Sequence, residues 1–376
     1  LSLSGPPPAP LDLIGDEASY RYPTFAAYLD ELDRSPPALN AACLAGHTTL
    51  RVGAMDALNR PAKADEIAAM RARLGEALDA GAIGLSTGLG YPPAEPAPTS
   101  EIKALAELLK PAGAIHTTHM RDESEHVMEA LDEAFEIGRS AGVPVVISHH
   151  KTAGRANFGR SRETLKKIDR AMATQPIGLD AYPYIAASTV LDPKWIDTAD
   201  RVLVTWSKGA PEQIGRNLAD IAKDWGVPLL TAVERLQPAG AVYFTMDEGD
   251  VRRILSYPHT MIGSDGLPHD THPHPRLWGT FPRVLGHYCR EEKLFPLEEA
   301  VRRMTGLPAQ QFRLTNRGSL AVGAYADIVV FDPATVIDRA TFEAPMTPAA
   351  GIDTVIVNGR IVWRDGAGTG ARPGRA

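Results

Sequence analysis

The sequence predicts an α/β fold: a TIM-like (β/α) barrel followed by a small β domain. Three observations predict it. From about residue 39, short apolar runs alternate with amphipathic helical stretches; polar clusters, two of them containing histidine, end three of those runs; and after Leu307 the pattern turns to β segments and a hairpin.

The strands are expected at Ala41–Leu50, Ala82–Thr87, Ile115–His119, Pro144–His149, Ile177–Tyr184 and Thr260–Asp265. They are short and continuously apolar, as parallel strands covered on both faces are. Helices are expected between them at Ala64–Asp79, Glu101–Leu109, Glu125–Ala141 and Arg160–Met172. In Glu125–Ala141, Val127, Leu131 and Ala134 share one face, while Glu129, Asp132 and Glu136 lie off it. Such alternation implies right-handed βαβ units and a parallel sheet. Six strands are visible where a closed (β/α)8 barrel has eight, and the deficit is expected before residue 39.

The stretch from Ala186 to Pro258, with Trp195, Trp206 and Trp225, is read as an insertion over the barrel mouth. Gly318 to Asp332 reads as a β segment. Thr354–Val357, Asn358-Gly359 and Arg360–Trp363 read as a hairpin with a type I′ turn, because Asn-Gly tolerates two positive φ angles. The tail from Gly366, rich in Gly, Arg and Pro, is expected to fray. The implied organisation is a Pro-rich lead-in and first helix (1–38), a barrel (39–314) and a small β domain with the C-terminal tail (315–376).

Composition narrows the class. In 376 residues, 44% are hydrophobic and 23% charged, ordinary for a globular chain. Lys+Arg at 39 against Asp+Glu at 46 give a net charge of −7, with no basic stripe, which argues against a nucleic-acid partner. No run approaches the roughly 18 apolar residues of a membrane span. Cys43 and Cys289 stand apart in apolar or aromatic settings, which points to a reducing, cytoplasmic compartment rather than a disulfide framework. The start, Leu1 to Gly5 followed by three prolines, has neither the charged nor the long apolar region of a signal peptide. It also lacks Met, so the chain is expected to be a piece of a longer protein.

The chemistry gathers at strand ends. Ile115-His116-Thr117-Thr118-His119-Met120-Arg121-Asp122-Glu123, Val145-Val146-Ile147-Ser148-His149-His150-Lys151 and Met261-Ile262-Gly263-Ser264-Asp265-Gly266 each run from apolar to polar. In a parallel barrel the C-terminal strand ends share one mouth, where catalysis takes place. Two histidines and a carboxylate meeting there suit hydrolytic zinc: neutral imidazoles bind the ion and a carboxylate moves the proton of water. A lone His near a strand end is more often a hydrogen-bonded structural residue, and His116, His126 and His259 are read that way. His119 and His149 end consecutive strands at one level, which favours ligands. His150 points to the other side of its strand and is read as packing. Asp265 could merely cap a Ser-Asp-Gly turn; its place after the last barrel strand favours catalysis.

These residues carry a family resemblance. Thr118 to Glu123, Ile147 to Lys151, Gly263 to Asp270, Gly84-Leu85-Ser86-Thr87-Gly88 with Tyr91-Pro92-Pro93, Asp180-Ala181-Tyr182-Pro183-Tyr184 and Val357-Asn358-Gly359-Arg360 resemble the motifs of the N-acyl-D-amino-acid deacylases, or D-aminoacylases, of the amidohydrolase superfamily. The resemblance runs from about residue 20 to 365. It implies zinc-dependent hydrolysis of the amide of an N-acyl-D-amino acid, giving a carboxylate and a free D-amino acid. It further implies His119 and His149 as zinc ligands and Asp265 as the general base that hands a proton from water to the leaving amine. Lys151 and Arg276 would hold the substrate α-carboxylate with Tyr182 and Ser188, and Tyr91 would line the same pocket. Cations beside the metal suit an anionic substrate, and Arg offers a planar fork for a carboxylate. The alternative for Lys151 is an ordinary exposed lysine.

The family also carries a His-x-His pair at the end of its first barrel strand and a ligating Cys at the end of its second. Neither is present here, and Cys43 is read as core. Two protein ligands instead of three predict weak zinc binding and an inactive fragment. Two rivals follow. A dihydroorotase or hydantoinase acting on a cyclic amide would place a carboxylated Lys at the end of a middle strand, and Ala82–Thr87 and Ile115–His119 offer none. A barrel remnant without metal is the catalytically inert alternative.

Overall fold

The computed structural model describes residues 2, 3 and 5–376; Leu1 and Ser4, part of the opening stretch, lie outside the described residues. Its frame is a six-stranded parallel sheet. The strands are β1 (Ala45–Gly46), β2 (Gly84–Gly88), β3 (Ile115–His119), β4 (Val145–Ile147) and β5 (Ile177–Ala181), joined after an insertion by a further strand. That insertion contributes β6 (Ala186–Val190), β7 (Val202–Ser207) and β8 (Ala239–Phe244), and the sixth barrel strand is β9 (Thr260–Ile262). The order is β1-β2-β3-β4-β5-β9, the sequential neighbouring of a (β/α) barrel. All six expected strands are present, each in its expected place.

Helices Ala64–Asp79, Thr99–Ala106, Val127–Ala141 and Ser161–Met172 fill the connections. Strand pleating divides the core. Val145 and Ile147 pack with Val127, Leu131 and Phe135 of the covering helix, while Val146 between them turns to the other face and meets Ile115 and Met261. Apolar residues on both faces are why these strands read as unbroken hydrophobic runs.

The first strand is shorter than expected. Only Ala45–Gly46 is extended, and helix His47–Ala54 starts at once. The cause is a buried ion cluster. His47 Nε2 lies 2.9 Å and Arg51 Nη1 2.5 Å from the same oxygen, Glu101 Oε1, with all three side chains fully buried. Residues i and i+4 meet on one face of a helix, whereas a strand would hold them about 13 Å apart. Arg51 also donates to the carbonyls of Pro93 at 2.6 Å and Arg60 at 2.7 Å. Glu101→Ala would leave a buried guanidinium uncompensated, and a loss of about 3–5 kcal/mol is expected in urea unfolding.

The insertion forms an antiparallel sheet in the order β6-β8-β7 with its own core around Val204, Leu218, Ile221, Val233 and Tyr243. The chain ends in a four-stranded antiparallel sheet of β10 (Ile328–Phe331), β11 (Ile352–Val357), β12 (Arg360–Arg364) and β13 (Ala367–Gly368). Asn358 at φ 48° and Gly359 at φ 78° make the expected hairpin turn. Two expectations fail here. Of Gly318 to Asp332 only Ile328–Phe331 is strand; Gly318 and Gly323 adopt positive φ, and Leu320 and Val322 stand in solvent without a pairing partner. The tail does not fray. Arg372 Nε donates to Pro36 O at 2.5 Å, Gly374 N to Pro37 O at 2.9 Å, and Ala41 N to Arg375 O at 2.8 Å. Cys43, read as core, is half-buried. Among the described residues no helix is long and apolar enough to cross a membrane.

Candidate active site at the barrel mouth

β3 ends on His119, β4 is followed by His149, and β9 is followed by Asp265, so three strand ends deliver three polar side chains to one mouth. All three line a single cavity of about 350 Å³. Its far wall comes from the insertion, including Ser188, Thr189, Trp195 and Tyr243. The insertion therefore roofs the mouth, as its place in the sequence suggested.

His119 Nδ1 lies 3.1 Å from His149 Nε2, and the two rings stand nearly edge to face at 4.8 Å. On its other side His149 Nδ1 is 3.0 Å from Glu123 Oε1. One donor atom each from His119, Glu123 and His149 falls within 4.8 Å of the others. Two ligands of a tetrahedral zinc sit about 3.4 Å apart, which the two facing imidazole nitrogens match, while Glu123, on the other nitrogen of His149, would have to swing its carboxylate inward to join them. The electrostatics suit it too. Burial, opposed by Glu123, pushes His119 down to about 3, leaving a neutral imidazole. Burial acts to raise the Glu123 carboxyl, but the Lys151 ammonium 2.7 Å away and both histidines hold it well below the usual range.

Backbone strain marks the same places. His149 at φ 40° and Asp265 at φ 48° occupy the left-handed region without being glycine, at a cost of order 1 kcal/mol each. Asp180 holds His149 there: its Oδ1 accepts His149 N at 2.8 Å and its carbonyl accepts His150 N at 2.7 Å. A side chain at Gly263 would meet that carboxylate at 2.9 Å, so glycine lets the β9 end close on it. Asp180→Ala frees the His149 backbone, and zinc affinity is expected to fall about 10- to 100-fold by competition with a chromogenic chelator.

The remaining residues fall into two groups. Lys151 is buried against Glu123, and its ammonium lies 5.6 Å over the Tyr182 ring. Arg276, also buried, lies 4.6 Å over the same Tyr182 ring, with Nη2 at 2.8 Å from Asp265 Oδ2 and 3.1 Å from Ser188 O. Arg276 Nε and Nη1, Tyr182 Oη and Ser188 Oγ are buried with no hydrogen-bond partner in the protein. Buried polar groups are rarely left so, and these donors are free for an anion. Tyr91 Oη meets Thr189 Oγ1 at 2.9 Å, and its ring lies 4.7 Å from His119. Tyr91, His119, His149, Lys151, Tyr182, Ser188 and Asp265 all line the cavity. Arg276 does not; it stands behind Asp265 and Tyr182.

The histidines read as structural behave so. His150 turns away and meets Thr164 Oγ1 at 2.8 Å, and His116 lies buried 3.0 Å from Thr87 Oγ1. His126 is exposed, and the His259 ring packs 5.3 Å from Tyr257. Glu123 was overlooked as a donor. It sits four residues beyond His119 in a motif already singled out, but only the folded loop shows that it turns back toward His149. With it the protein offers three donors rather than two.

Asp270, on the loop after Asp265, is buried with neither oxygen partnered. Burial pushes its carboxyl up to about 7, against the pull of Thr205 and Arg276. A carboxyl with a raised folded pKa favours the folded state while protonated, so stability falls as pH rises from about 4 to about 7. The expected loss, at most about 4 kcal/mol, should vanish in Asp270→Asn when unfolding is measured across that range.

Comparison with known proteins decides the family. An amidohydrolase family profile matches residues 99–363. The D-aminoacylase of Alcaligenes xylosoxydans xylosoxydans is 58% identical over 369 residues, covering 98% of this chain and 76% of that protein. This chain belongs to the D-aminoacylases of the amidohydrolase family. Within that deacylase family, the N-acyl-D-aspartate deacylase of the same organism is 53% identical, covering 98% of this chain and 74% of its own length. The crystal structure of the Bordetella bronchiseptica N-acyl-D-glutamate deacylase, complexed with zinc and a phosphonate mimic of the tetrahedral intermediate, is 46% identical. It superposes with a TM-score of 0.95, covering 100% of this chain and 80% of that one.

Proposed function

We propose that this deacylase hydrolyses the amide bond of N-acyl-D-amino acids, releasing a carboxylate and a free D-amino acid. The carrying observation is the 58% identity to a D-aminoacylase, together with His119, Glu123 and His149 meeting in the cavity that Asp265 lines. The preference for the D-enantiomer rests on the relatives. No observation favours a cyclic amide or an inert barrel.

His119 and His149, with Glu123 beside them, would hold zinc. When bound, zinc supplies a Lewis acid for the amide carbonyl and brings the pKa of water at the site towards neutrality. Asp265 takes the proton of the attacking water and returns it to the leaving nitrogen. The unpartnered Tyr182 Oη and Ser188 Oγ, with the Lys151 ammonium, receive the substrate α-carboxylate, while Arg276, behind Asp265 and Tyr182, adds its positive charge from the second rank. Tyr91 and the insertion exclude bulk water, which strengthens each of these contacts. The barrel accounts for residues 39–314, with the lead-in (1–38) and the β unit (315–376) flanking it. Two unpaired thiols support a cytoplasmic setting.

The test is hydrolysis of paired N-acetyl-D- and N-acetyl-L-amino acids by the full-length protein with zinc supplied. Turnover of the D series is expected. Turnover confined to the L series, or absent from both, overturns the reading.

A further inference from the structure

The segment Leu89–Pro98, which carries Tyr91, has no strand or helix of its own, yet three cations donate to its backbone carbonyls. Lys194 Nζ reaches Gly90 O at 2.7 Å, Arg51 Nε reaches Pro93 O at 2.6 Å, and Arg121 reaches Glu95 O at 2.8 Å and Ala97 O at 3.0 Å. Arg121 differs from the other two in where it stands: two residues beyond His119, at the end of the strand that delivers it. Its guanidinium is itself fixed by Glu133 of helix Val127–Ala141, through Nε at 2.9 Å and Nη2 at 2.8 Å. Glu133 further accepts Thr99 Oγ1 at 2.8 Å, at the first residue of the helix that follows the loop.

The loop is seated on the metal side without slack. Leu89 N donates to His119 O at 3.1 Å. A Cβ at Gly90 would come within 3.1 Å of His119 Nε2 and 3.2 Å of Arg121 O. The Tyr91 ring then lies over the His119 imidazole and reaches across to the insertion at Thr189 and, edge on, to Trp195. Any outward movement of the loop would lift Tyr91 from His119 and open the cavity wall.

From this geometry we infer that Arg121, locked by Glu133, is a positioning residue that clamps the Tyr91 loop onto the strand end bearing His119. Arg121 also borders the cavity itself, so Glu133, which does not, separates the clamp from a direct contact, and the kinetic part of the inference rests on the deacylase reading above. Losing the clamp lowers the fraction of molecules with a closed loop, and apparent affinity falls by that fraction. If the closed form drops to about a tenth, KM rises about tenfold while the chemical step, carried out by the closed form, is little changed.

In the full-length protein, Arg121→Gln and Glu133→Gln are compared with the unaltered enzyme on an N-acetyl-D-amino acid, alone and combined with Tyr91→Ala. Both single changes are expected to raise KM about tenfold, with kcat within about threefold and zinc content unchanged. In the Tyr91→Ala background either change should add less than about twofold, because the shared intermediary is gone. Glu133, which lies off the cavity, decides the matter if Arg121→Gln does not fold. A second readout needs no turnover: thermolysin cleavage within residues 89–98, mapped by mass spectrometry, should quicken about tenfold at unchanged melting temperature. A chain with no activity on any substrate would remove the deacylase reading, while the cleavage pattern would still judge the clamp. Unchanged cleavage, a fall in kcat alone, lowered melting temperature with KM intact, or an undiminished effect in Tyr91→Ala each overturns the inference.

Discussion

Asp265→Asn is expected to keep zinc and to lose turnover by about 10²- to 10⁴-fold, the range that general acid–base groups supply. The substitution keeps size and hydrogen-bonding capacity but removes the ability to carry a proton. Two features concentrate that job on Asp265. It follows the last barrel strand, at the mouth of the cavity that His119 and His149 also line. It also lies beside the buried Arg276, whose Nη2 is 2.8 Å away, so its place is set from behind rather than by solvent. Glu123, the other carboxylate in the cavity, is committed to Lys151 and His149 and is a poor substitute. The check is steady-state kinetics alongside zinc stoichiometry. If kcat survives within about tenfold while zinc stays bound, another group is the base. A loss of zinc with the activity would instead place Asp265 among the ligands.

How much of this could be read before the fold was known follows from the physics of each feature. Strands buried on both faces leave continuous apolar runs, so all six barrel strands were legible, as was the Asn358-Gly359 turn. Strand ends were less so. Ala41–Leu50 read as one apolar element, but the switch to helix at His47 depends on Glu101, fifty-four residues away, and nothing local announces it. The docked tail was illegible for the same reason: its composition is that of a mobile end, and its partners Pro36, Pro37 and Ala41 lie at the other end of the chain. At the site, His119, His149 and Asp265 could be found because barrel topology sends strand ends to one mouth. Glu123 and Arg121 could not, since they act from a loop whose course is set by contacts with His149, Lys151 and Glu133. Sequence motifs locate the residues that strands present; the ones that loops fold back require coordinates.

The second large effect concerns the metal. His149→Ala removes the imidazole that faces both His119 and Glu123, and with it the link between the other two donors. Structural zinc sites with four ligands bind with about 10–16 kcal/mol, so one ligand is worth about 3 kcal/mol and its loss weakens zinc about 100-fold or more. The next residue is a built-in control. His150→Ala breaks the buried contact with Thr164 and empties the space of a buried ring, and a stability loss of about 1–3 kcal/mol is expected, with zinc affinity unchanged. Chelator competition on both variants, paired with urea unfolding, separates the two neighbours. A His149→Ala chain that binds zinc as tightly as before, or a His150→Ala chain that loses it, would mean that the β4 end presents the opposite imidazole to the ion. The pairing of the three donors would then have to be redrawn from that strand outward.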